Sequence, residues 1–323
     1  MCTAVTYQTK DHYFGRNLDY EYDFGEVVTI TPRNYPLHFR HLKPMAQHYA
    51  MIGMAVVRSE YPLYFDATNE YGLSMAGLSF PHSAKYQPPA PEKDNLASFE
   101  LIPWLLGSYQ SVAEALVKLK NINITDSAFT REFSPTALHW MIADRMDCAV
   151  IEQTEDGLHI YDNPFGILTN DPPFPYHRIN LCNFLNVTAQ EAQNRFAPDL
   201  PLQSYSRGMG GVGLPGDLSS ASRFVRAAFT KLNSVSKDSE SAAVSQVFHI
   251  LESVAQLQGC VKVGHLYEKT IYSSCCNTTK GIYYYTTYEN SQITAVRLHG
   301  ADLDGCKLQT YPLTQTQQIR FVN

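Results

Sequence analysis

The pattern of apolar and polar positions divides the chain into strands, helices, strands, helices and strands again. In the first quarter, short β-branched or apolar runs are bounded by polar and turn-forming residues, which predicts consecutive strands. The run at 69–72 has the composition of a turn. The predicted strands of this first block are 3–7, 27–31, 51–57, 63–67 and 73–78.

The middle of the chain has a different character. Residues 81–91 are rich in proline and polar side chains, which predicts a loop or lid. Residues 186–210 are polar and irregular, and this length is typical of a functional or interface loop. Apolar residues recur at helical spacing in four segments: 99–106, 111–120, 219–232 and 239–257. Strand patterns return in four others: 138–162, 270–274, 282–288 and 293–298.

This order favours one fold class. Runs of strands followed by runs of helices are typical of α+β proteins and not of alternating βαβ units. We therefore predict two antiparallel sheets sandwiched between helix layers. The 323 residues suit two average domains or one large one. Because no linker, internal repeat or low-complexity segment divides the chain, we expect a single domain over 1–323.

Composition excludes several classes of function. Hydrophobic residues make up 44% of the chain and charged residues 17%, as in globular proteins. The formal net charge of −6 leaves no basic excess to neutralise nucleic-acid phosphates. Neither a signal peptide nor an apolar run of about 20 residues is visible, so we expect a cytoplasmic protein without membrane spans. The odd number of cysteines, seven, predicts free thiols.

Two motifs carry little weight. Residues 208–216 contain overlapping G-x-G-x-x-G matches that begin at Gly208 and Gly211, but the preceding residues are loop-like. A dinucleotide fingerprint requires a preceding strand, so we interpret this segment as a tight, flexible loop that leads into a helix. Cys275 and Cys276 lack a second cysteine pair at zinc spacing, and His139 is interpreted as a core or interface residue. We expect no cofactor and no metal.

Cys2 directly follows the initiator methionine, which is an unusual place for a functional thiol. If Met1 is removed, Cys2 carries a thiol and a free α-amino group, and the amine can act as the base for its own nucleophile. The alternative is an incidental buried small residue. A hairpin of 2–7 and 12–18 would bring Arg16 and Asp19 beside Cys2. An arginine there favours the thiolate, and an aspartate can hold the α-amine.

Two polar residues at the ends of apolar segments are further candidates. Asn170 ends a strand-like run, where its side-chain amide could donate to an oxyanion, and Arg223 opens a predicted helix. Taken singly, each is better explained by turn chemistry or by a surface salt bridge.

In combination, these residues resemble the choloylglycine hydrolase family, which comprises conjugated bile salt hydrolases and penicillin V acylases. The resemblance runs nearly from end to end, and its form around 16–19 and at Pro81 is closer to bile salt hydrolases of lactobacilli. The matching motifs are Met-Cys-Thr-Ala at 1–4, Tyr-Phe-Gly-Arg-Asn-Leu-Asp at 13–19, Asn-Glu-Tyr-Gly-Leu at 69–73, Ala-Gly-Leu at 76–78, Leu-His-Trp at 138–140, Gly-Ile-Leu-Thr-Asn at 166–170, Gly-Leu-Pro-Gly-Asp at 213–217, Ser-Arg-Phe-Val-Arg at 222–226 and Tyr-Tyr-Tyr-Thr-Thr-Tyr-Glu-Asn at 283–290.

The resemblance implies an N-terminal nucleophile hydrolase fold, an αββα sandwich, in agreement with the segment order. It implies removal of Met1 and attack by Cys2 on an amide. Arg16 and Asp19 match the family's residues at the nucleophile, Asn170 matches the oxyanion-hole asparagine, and Arg223 matches a second active-site arginine. The resemblance also implies a homotetramer, with 186–210 similar to the family's assembly loop.

One position departs from the family. Where bile salt hydrolases typically carry Asn and penicillin V acylases Tyr, this chain has Ser79. Since the family uses the backbone N–H here as an oxyanion donor, the departure puts substrate choice in doubt more than the chemistry.

The expected reaction is hydrolysis of the amide bond of glycine- or taurine-conjugated bile salts. We expect the steroid to lie in an apolar pocket formed by Leu18, Phe24 and Phe65, covered by apolar residues near 129–137. Two alternatives remain. One is a penicillin V acylase or another acyl-amide hydrolase with the same machinery, and the other is a non-catalytic relative that binds bile acids or lipids.

Overall fold

The computed structural model describes residues 1–131 and 134–323. The described strands, in chain order, are β1 (Cys2–Gln8), β2 (His12–Tyr20), β3 (Val27–Thr31), β4 (Met51–Arg58), β5 (Tyr61–Asn69), β6 (Ser74–Ser79), β7 (Asp94–Ala97), β8 (Ile122–Thr125), β9 (Leu138–Ala143), β10 (Cys148–Thr154), β11 (Gly157–Asp162), β12 (Ile167–Leu168), β13 (Val261–Val263), β14 (Leu266–Asn277), β15 (Ile282–Thr287), β16 (Asn290–Arg297) and β17 (Gln309–Pro312). The described α-helices are α1 (Leu101–Ser108), α2 (Val112–Leu119), α3 (Phe174–Leu181), α4 (Ser220–Asn233) and α5 (Glu240–Glu252).

Two antiparallel sheets form the centre of the molecule. The first has the order β12-β1-β2-β14-β15-β16, with β13 on β14, and the second has the order β11-β10-β9-β6-β5-β4-β3-β17. Helices α4 and α5 pack on the first sheet, and α1 packs on β5 and β6 of the second. The predicted α+β sandwich of two sheets between helix layers is therefore confirmed.

Burial explains the near-continuous apolar runs of several strands. One core fills the space between the sheets and continues under α4 and α5, and a second lies between the outer face of the second sheet and helices α1 and α2. A strand between two cores is buried on both faces, so it lacks the alternation of a half-exposed strand. β4 illustrates this, because its first six residues are all buried.

The helices differ from the sequence prediction in two places. α3 was not predicted, since only Phe174 and His177 of it are buried and its apolar periodicity is weak. α5 ends at Glu252, before the predicted end at 257. The reason is tertiary: the backbone of Gln256 exchanges hydrogen bonds with Thr270 of β14, which withdraws this segment from the helix.

The short strands β7, β8, β13 and β17 were also not predicted. Each has three or four residues, which is too short for a periodic pattern to emerge from sequence. Among the helices that the structure describes, none combines the length and apolar composition required to cross a bilayer.

Candidate active site

The register of β1 on β2 determines which side chains surround Cys2. Cys2 lies opposite Leu18, and Ala4 lies opposite Arg16. Since side chains alternate between the faces of a strand, Arg16 and Leu18 share the face of Cys2, which looks toward the second sheet. Asp19 points to the other face, toward α4. The predicted hairpin is thus confirmed, but Arg16 and Asp19 approach Cys2 from opposite sides.

Arg16 links the thiol to the second sheet. Its Nη2 donates to Cys2 Sγ at 2.9 Å, and its Nη1 donates to the carbonyl oxygens of Phe65 at 2.8 Å and Gly77 at 2.9 Å. The guanidinium is fully buried. Because these hydrogen bonds fix the planar guanidinium in one orientation, its positive charge faces the Cys2 sulfur, which favours the thiolate.

A buried carboxylate balances the charge of Arg16. Asp66 accepts hydrogen bonds from the hydroxyls of Tyr272 at 2.8 Å and Tyr283 at 2.7 Å. Burial by itself lowers the pKa of Arg16, but electrostatic interactions with Cys2, Tyr272 and Asp66 oppose this effect, and the net result is a raised pKa. Burial raises the pKa of Asp66, against the influence of Arg16 and the tyrosine hydroxyls.

Asp19, near the end of β2, lies beside the start of β1 on the helix side. Thr270 Oγ1 donates to Asp19 Oδ1 at 2.6 Å, and Arg223 Nη1 lies 4.0 Å from Asp19 Oδ2. Within the described residues, Oδ2 has no hydrogen-bond partner, although the side chain is fully buried. Burial raises the pKa of Asp19, opposed by the charges of Arg223 and the chain's amino terminus.

Asn170 connects the backbone of Cys2 to the end of β6. Its Oδ1 accepts from the Cys2 N–H at 2.9 Å, and its Nδ2 donates to the Ser79 carbonyl at 2.8 Å. An amide NH₂ has two hydrogens, so Nδ2 retains one for another acceptor. The segment just beyond β12 that carries Asn170 thus lies beside Cys2.

Arg223, in the first turn of α4, binds both the backbone of Cys2 and the side chain of Asn170. Its Nη1 donates to the Cys2 carbonyl and to Thr3 Oγ1, both at 2.6 Å, and its Nη2 donates to Asn170 Oδ1 at 2.7 Å. Burial lowers the pKa of Arg223, and the charges of Asp19 and Cys2 oppose this effect. The alternative of a surface salt bridge is wrong, because the side chain is fully buried.

Ser79 is the last residue of β6. The N–H of Phe80 donates to the Ala137 carbonyl, so the neighbouring Ser79 N–H points away from β9. It points to the same side as the Ser79 carbonyl, which accepts from Asn170. The Ser79 N–H and the side-chain amide of Asn170, which bonds to the backbone of Cys2, therefore lie on the same side of β6.

The residue before Cys2 continues the β1–β2 ladder. The Met1 amino group donates to the Asp19 carbonyl at 2.6 Å and pairs with Glu268, and the Met1 carbonyl accepts from the Asp19 N–H at 2.9 Å. While Met1 is present, the Cys2 nitrogen is an amide without basic character.

The three residues predicted for the apolar pocket lie near Cys2 or near one another. Leu18 is the cross-strand partner of Cys2 and belongs to the buried core. The rings of Phe24 and Phe65 lie 5.5 Å apart, and Phe24 also packs on Tyr20 at 4.8 Å. Because the Phe65 carbonyl accepts a hydrogen bond from Arg16, which also contacts the Cys2 sulfur, this aromatic cluster adjoins the candidate site.

The predicted cover over this pocket has less support. Phe129 packs on Tyr61 at 5.9 Å and on Phe99 at 5.2 Å, and no ring contact joins it to Phe24 or Phe65 in the described part of the chain. Two residues of this stretch, 132 and 133, lie outside the described residues.

Several polar residues at the site were missed. Asp66 had a usable signal, because it is an acid inside the predicted strand 63–67. Tyr272 and Tyr283 had none, since tyrosine is ordinary in strands. Residues 208–216 precede α4, with a 3₁₀ turn at Met209–Gly211, and the predicted helix start at 219 agrees with the N-cap Ser219. Among the described residues, no cluster of three or more His, Cys, Asp or Glu could hold a metal ion.

The comparisons with known proteins agree on one family. The model of the linear amide C–N hydrolases, choloylglycine hydrolase family, matches residues 2–311. A bile salt hydrolase/transferase of Lactiplantibacillus plantarum is 52% identical over 324 residues, which covers 100% of both chains. A bile salt hydrolase/transferase of Clostridium perfringens is 38% identical over 329 residues, again with 100% coverage of both.

Solved structures give the same result for the fold. The crystal structure of the C2A mutant of the conjugated bile acid hydrolase from Clostridium perfringens matches with a TM-score of 0.94 at 37% identity, covering 100% of both chains. The penicillin V acylase from Agrobacterium tumefaciens matches with a TM-score of 0.76 at 19% identity, covering 97% of this chain and 92% of that one. The second match shows a shared fold alone.

Fold and comparisons define the class of protein as a hydrolase of linear amide C–N bonds with the αββα sandwich of N-terminal nucleophile hydrolases. Within that class, the chain belongs to the choloylglycine hydrolase family.

Proposed function

We propose that this enzyme hydrolyses the amide bond of glycine- or taurine-conjugated bile salts, with Cys2 as the nucleophile after removal of Met1. The observation that carries the proposal is the environment of Cys2. Arg16 Nη2 lies 2.9 Å from its sulfur, and Asn170 bonds both to its nitrogen and to the Ser79 carbonyl. The names of the relatives, bile salt hydrolases from two genera, support the substrate class.

In the first half of the reaction, the Cys2 sulfur attacks the carbon of the substrate amide. The proton of the thiol goes to the α-amine of Cys2, and the carbonyl oxygen becomes an oxyanion that Asn170 Nδ2 and the Ser79 N–H stabilise. When the tetrahedral intermediate collapses, the C–N bond breaks and the leaving nitrogen takes the proton from the α-ammonium. The acyl group then remains on Cys2 as a thioester.

In the second half, water attacks the thioester, with the α-amine as the base. The carbon–sulfur bond breaks, the bile acid leaves and the thiol is restored. Asp19 supports this cycle, because its buried Oδ2, which has no hydrogen-bond partner among the described residues, is an acceptor for the ammonium form of Cys2. Whenever the α-amine of Cys2 is protonated, the carboxylate of Asp19 would thus be its charged partner.

The test is a panel of glyco- and tauro-conjugated bile salts and penicillin V, assayed by release of the amine product. We expect the wild type to release glycine or taurine and the folded Cys2→Ser variant to release little or none. Cleavage of penicillin V alone would replace the proposed substrate with that of an acylase, and binding without cleavage would support a non-catalytic relative. A Ser79→Asn variant in the same panel measures what this position contributes to substrate choice.

This proposal includes catalytic roles for all the residues that the family resemblance implies, Arg223 among them. It also includes Leu18, Phe24 and Phe65 as residues of the substrate pocket. A cytoplasmic location, a single domain over 1–323 and assembly into homotetramers are also part of it. Support for assembly comes from 186–210, where Phe196 is 92% exposed and Tyr205 is 88% exposed. Large exposed apolar side chains in one segment favour an interface, and light scattering of the purified protein measures the assembly state.

A further inference from the structure

The backbone around Asn170 is held by two buried histidines. His139 Nε2 lies 3.0 Å from the carbonyl oxygen of Thr169, and His177 Nε2 lies 3.0 Å from the carbonyl oxygen of Asn170 itself. Both histidines are fully buried. The Asn170 N–H donates to Ser220 Oγ at 2.9 Å, so the peptide groups on both sides of Asn170 have fixed partners.

His139 has a second buried partner that determines the direction of its ring. Its Nδ1 lies 3.0 Å from Glu152 Oε1, and Glu152 is fully buried. Glu152 also accepts from the N–H of Phe174, the first residue of α3. The Thr169 carbonyl oxygen can only accept, so Nε2 donates to it, and Nδ1 shares the second hydrogen bond with Glu152. The imidazole is therefore locked between β10 and the strand end that carries Asn170.

The same ring contacts the other side of the oxyanion hole. The ring of Phe80 stacks on that of His139, with 4.2 Å between centroids and 7° between planes. Phe80 directly follows Ser79, whose N–H is the second candidate donor. The His139 ring thus contacts Thr169, which precedes Asn170, and Phe80, which follows Ser79. It acts on both donors through their neighbours in the chain.

We propose that His139 is a positioning residue that sets the distance between the two oxyanion donors, Asn170 Nδ2 and the Ser79 N–H. The proposal rests on the proposed function, because it assigns these two groups to the oxyanion. It gives a catalytic reason for a buried histidine that the sequence indicated only as a core residue. Preorganised donors lose effect when they are displaced, and displacement by about 1 Å can reduce a rate about 100-fold.

Two variants separate the two contacts of the ring. In His139→Gln, the side-chain amide reaches the position of Nε2, so the hydrogen bond to the Thr169 carbonyl is kept and the hydrogen bond with Glu152 is lost. In His139→Asn, the amide takes the position of Nδ1, so the hydrogen bond with Glu152 is kept and the hydrogen bond to the Thr169 carbonyl is lost. We expect kcat to fall about 10- to 100-fold in His139→Asn and clearly less in His139→Gln, with KM nearly unchanged in both. Equal kcat values in the two variants would overturn the proposal.

A double-mutant cycle with Asn170→Ala distinguishes a positioning role of His139 from a merely structural one. It compares the kcat loss caused by His139→Asn in the wild type and in Asn170→Ala. If His139 acts through Asn170, His139→Asn reduces kcat in the wild type and has little further effect in the Asn170→Ala background. The same fold-loss in both backgrounds would overturn the inference. A loss of kcat in Asn170→Ala with none in His139→Asn would also overturn it and leave the proposed function standing, whereas full activity of Asn170→Ala would contradict both.

Phe80→Leu covers the case in which the histidine variants fail to fold. This variant keeps the buried pair of His139 and Glu152 and removes only the stacked ring. We expect a lower kcat at nearly unchanged KM, with a folded protein by circular dichroism. An unchanged kcat in a folded Phe80→Leu variant would contradict the proposal.

Discussion

At the scale of single residues, the site depends on side chains that each satisfy several groups. Arg16 bridges a thiol and two carbonyl oxygens, and Arg223 bridges the Cys2 carbonyl, Thr3 and Asn170. Both are fully buried, so each removed contact would leave an unpartnered polar atom. Arginine suits both positions because its guanidinium presents several donors in one plane.

The shape of Arg16 is therefore predicted to matter as much as its charge. Arg16→Lys keeps the positive charge, but a single ammonium cannot reach Phe65, Gly77 and the Cys2 sulfur with the geometry of a planar fork. We expect kcat/KM to fall about 100-fold, together with slower alkylation of Cys2 by iodoacetamide. Steady-state kinetics and mass spectrometry of the alkylated N-terminal peptide measure the two effects. Near wild-type values of both would mean that charge alone is sufficient.

At the scale of elements, the site lies where five of them meet: the start of β1, the second half of β2, the end of β6, the segment just beyond β12 and the first turn of α4. The start of α4 has particular importance, because Ser220 and Arg223 both bond to Asn170. Helix starts leave N–H groups without partners, and the side chain of Ser219 accepts from the Ser222 N–H at 3.4 Å.

Loss of this cap is predicted to reduce activity as well as stability. Ser239 is a matched control, since it caps α5 with the same 3.4 Å contact, to Ala242. We expect Ser219→Ala and Ser239→Ala each to lower the free energy of unfolding by about 1 kcal/mol. Only Ser219→Ala should also lower kcat, because only α4 carries site residues. Urea denaturation and kinetics give both values, and a kcat loss of equal size in the two variants would contradict this account.

Close packing of backbones gives a further prediction for β4 and β5. A Cβ on Gly53 would lie 2.0 Å from the Asp66 carbonyl oxygen and 2.6 Å from the Ala67 Cα. Backbone atoms in a paired strand cannot move without disturbing their hydrogen bonds, so Gly53→Ala should displace β5, together with the Asp66 that balances Arg16, at a cost in stability. We expect a large loss of melting temperature and of activity. A variant with wild-type melting behaviour would show that β5 can yield without cost.

At the scale of the whole molecule, much of the fold could be predicted from the sequence, for physical reasons. The β1–β2 hairpin and the helices α4 and α5 have local patterns, and they place Cys2, Arg16 and Arg223. The remaining site could not be predicted from local pattern. Asp66 meets Tyr272 and Tyr283 only where the two sheets pack against each other, across more than 200 residues of sequence.

Acid stability is a property of the whole molecule to which His12 is predicted to contribute. Burial lowers the pKa of His12 from its ordinary value of 6.5 to about 4, so between these values the unfolded chain binds more protons than the folded one. Stability therefore falls as the pH falls through this window, by up to about 3 kcal/mol from this group. Relative to His12→Asn, the wild type should lose stability between pH 6.5 and 4, as urea denaturation at several pH values would measure. Parallel curves for the two proteins would contradict the assignment.

The central claim is that Cys2, as the first residue of the mature chain, forms the covalent intermediate. Rapid acid quench during turnover of a glycine-conjugated bile salt, followed by mass spectrometry of the N-terminal peptide, tests it most directly. The account predicts a peptide that begins at Cys2, lacks Met1 and carries the bile acyl group on the cysteine as a thioester. An acyl group on another residue, or full turnover by a protein that retains Met1, would contradict it.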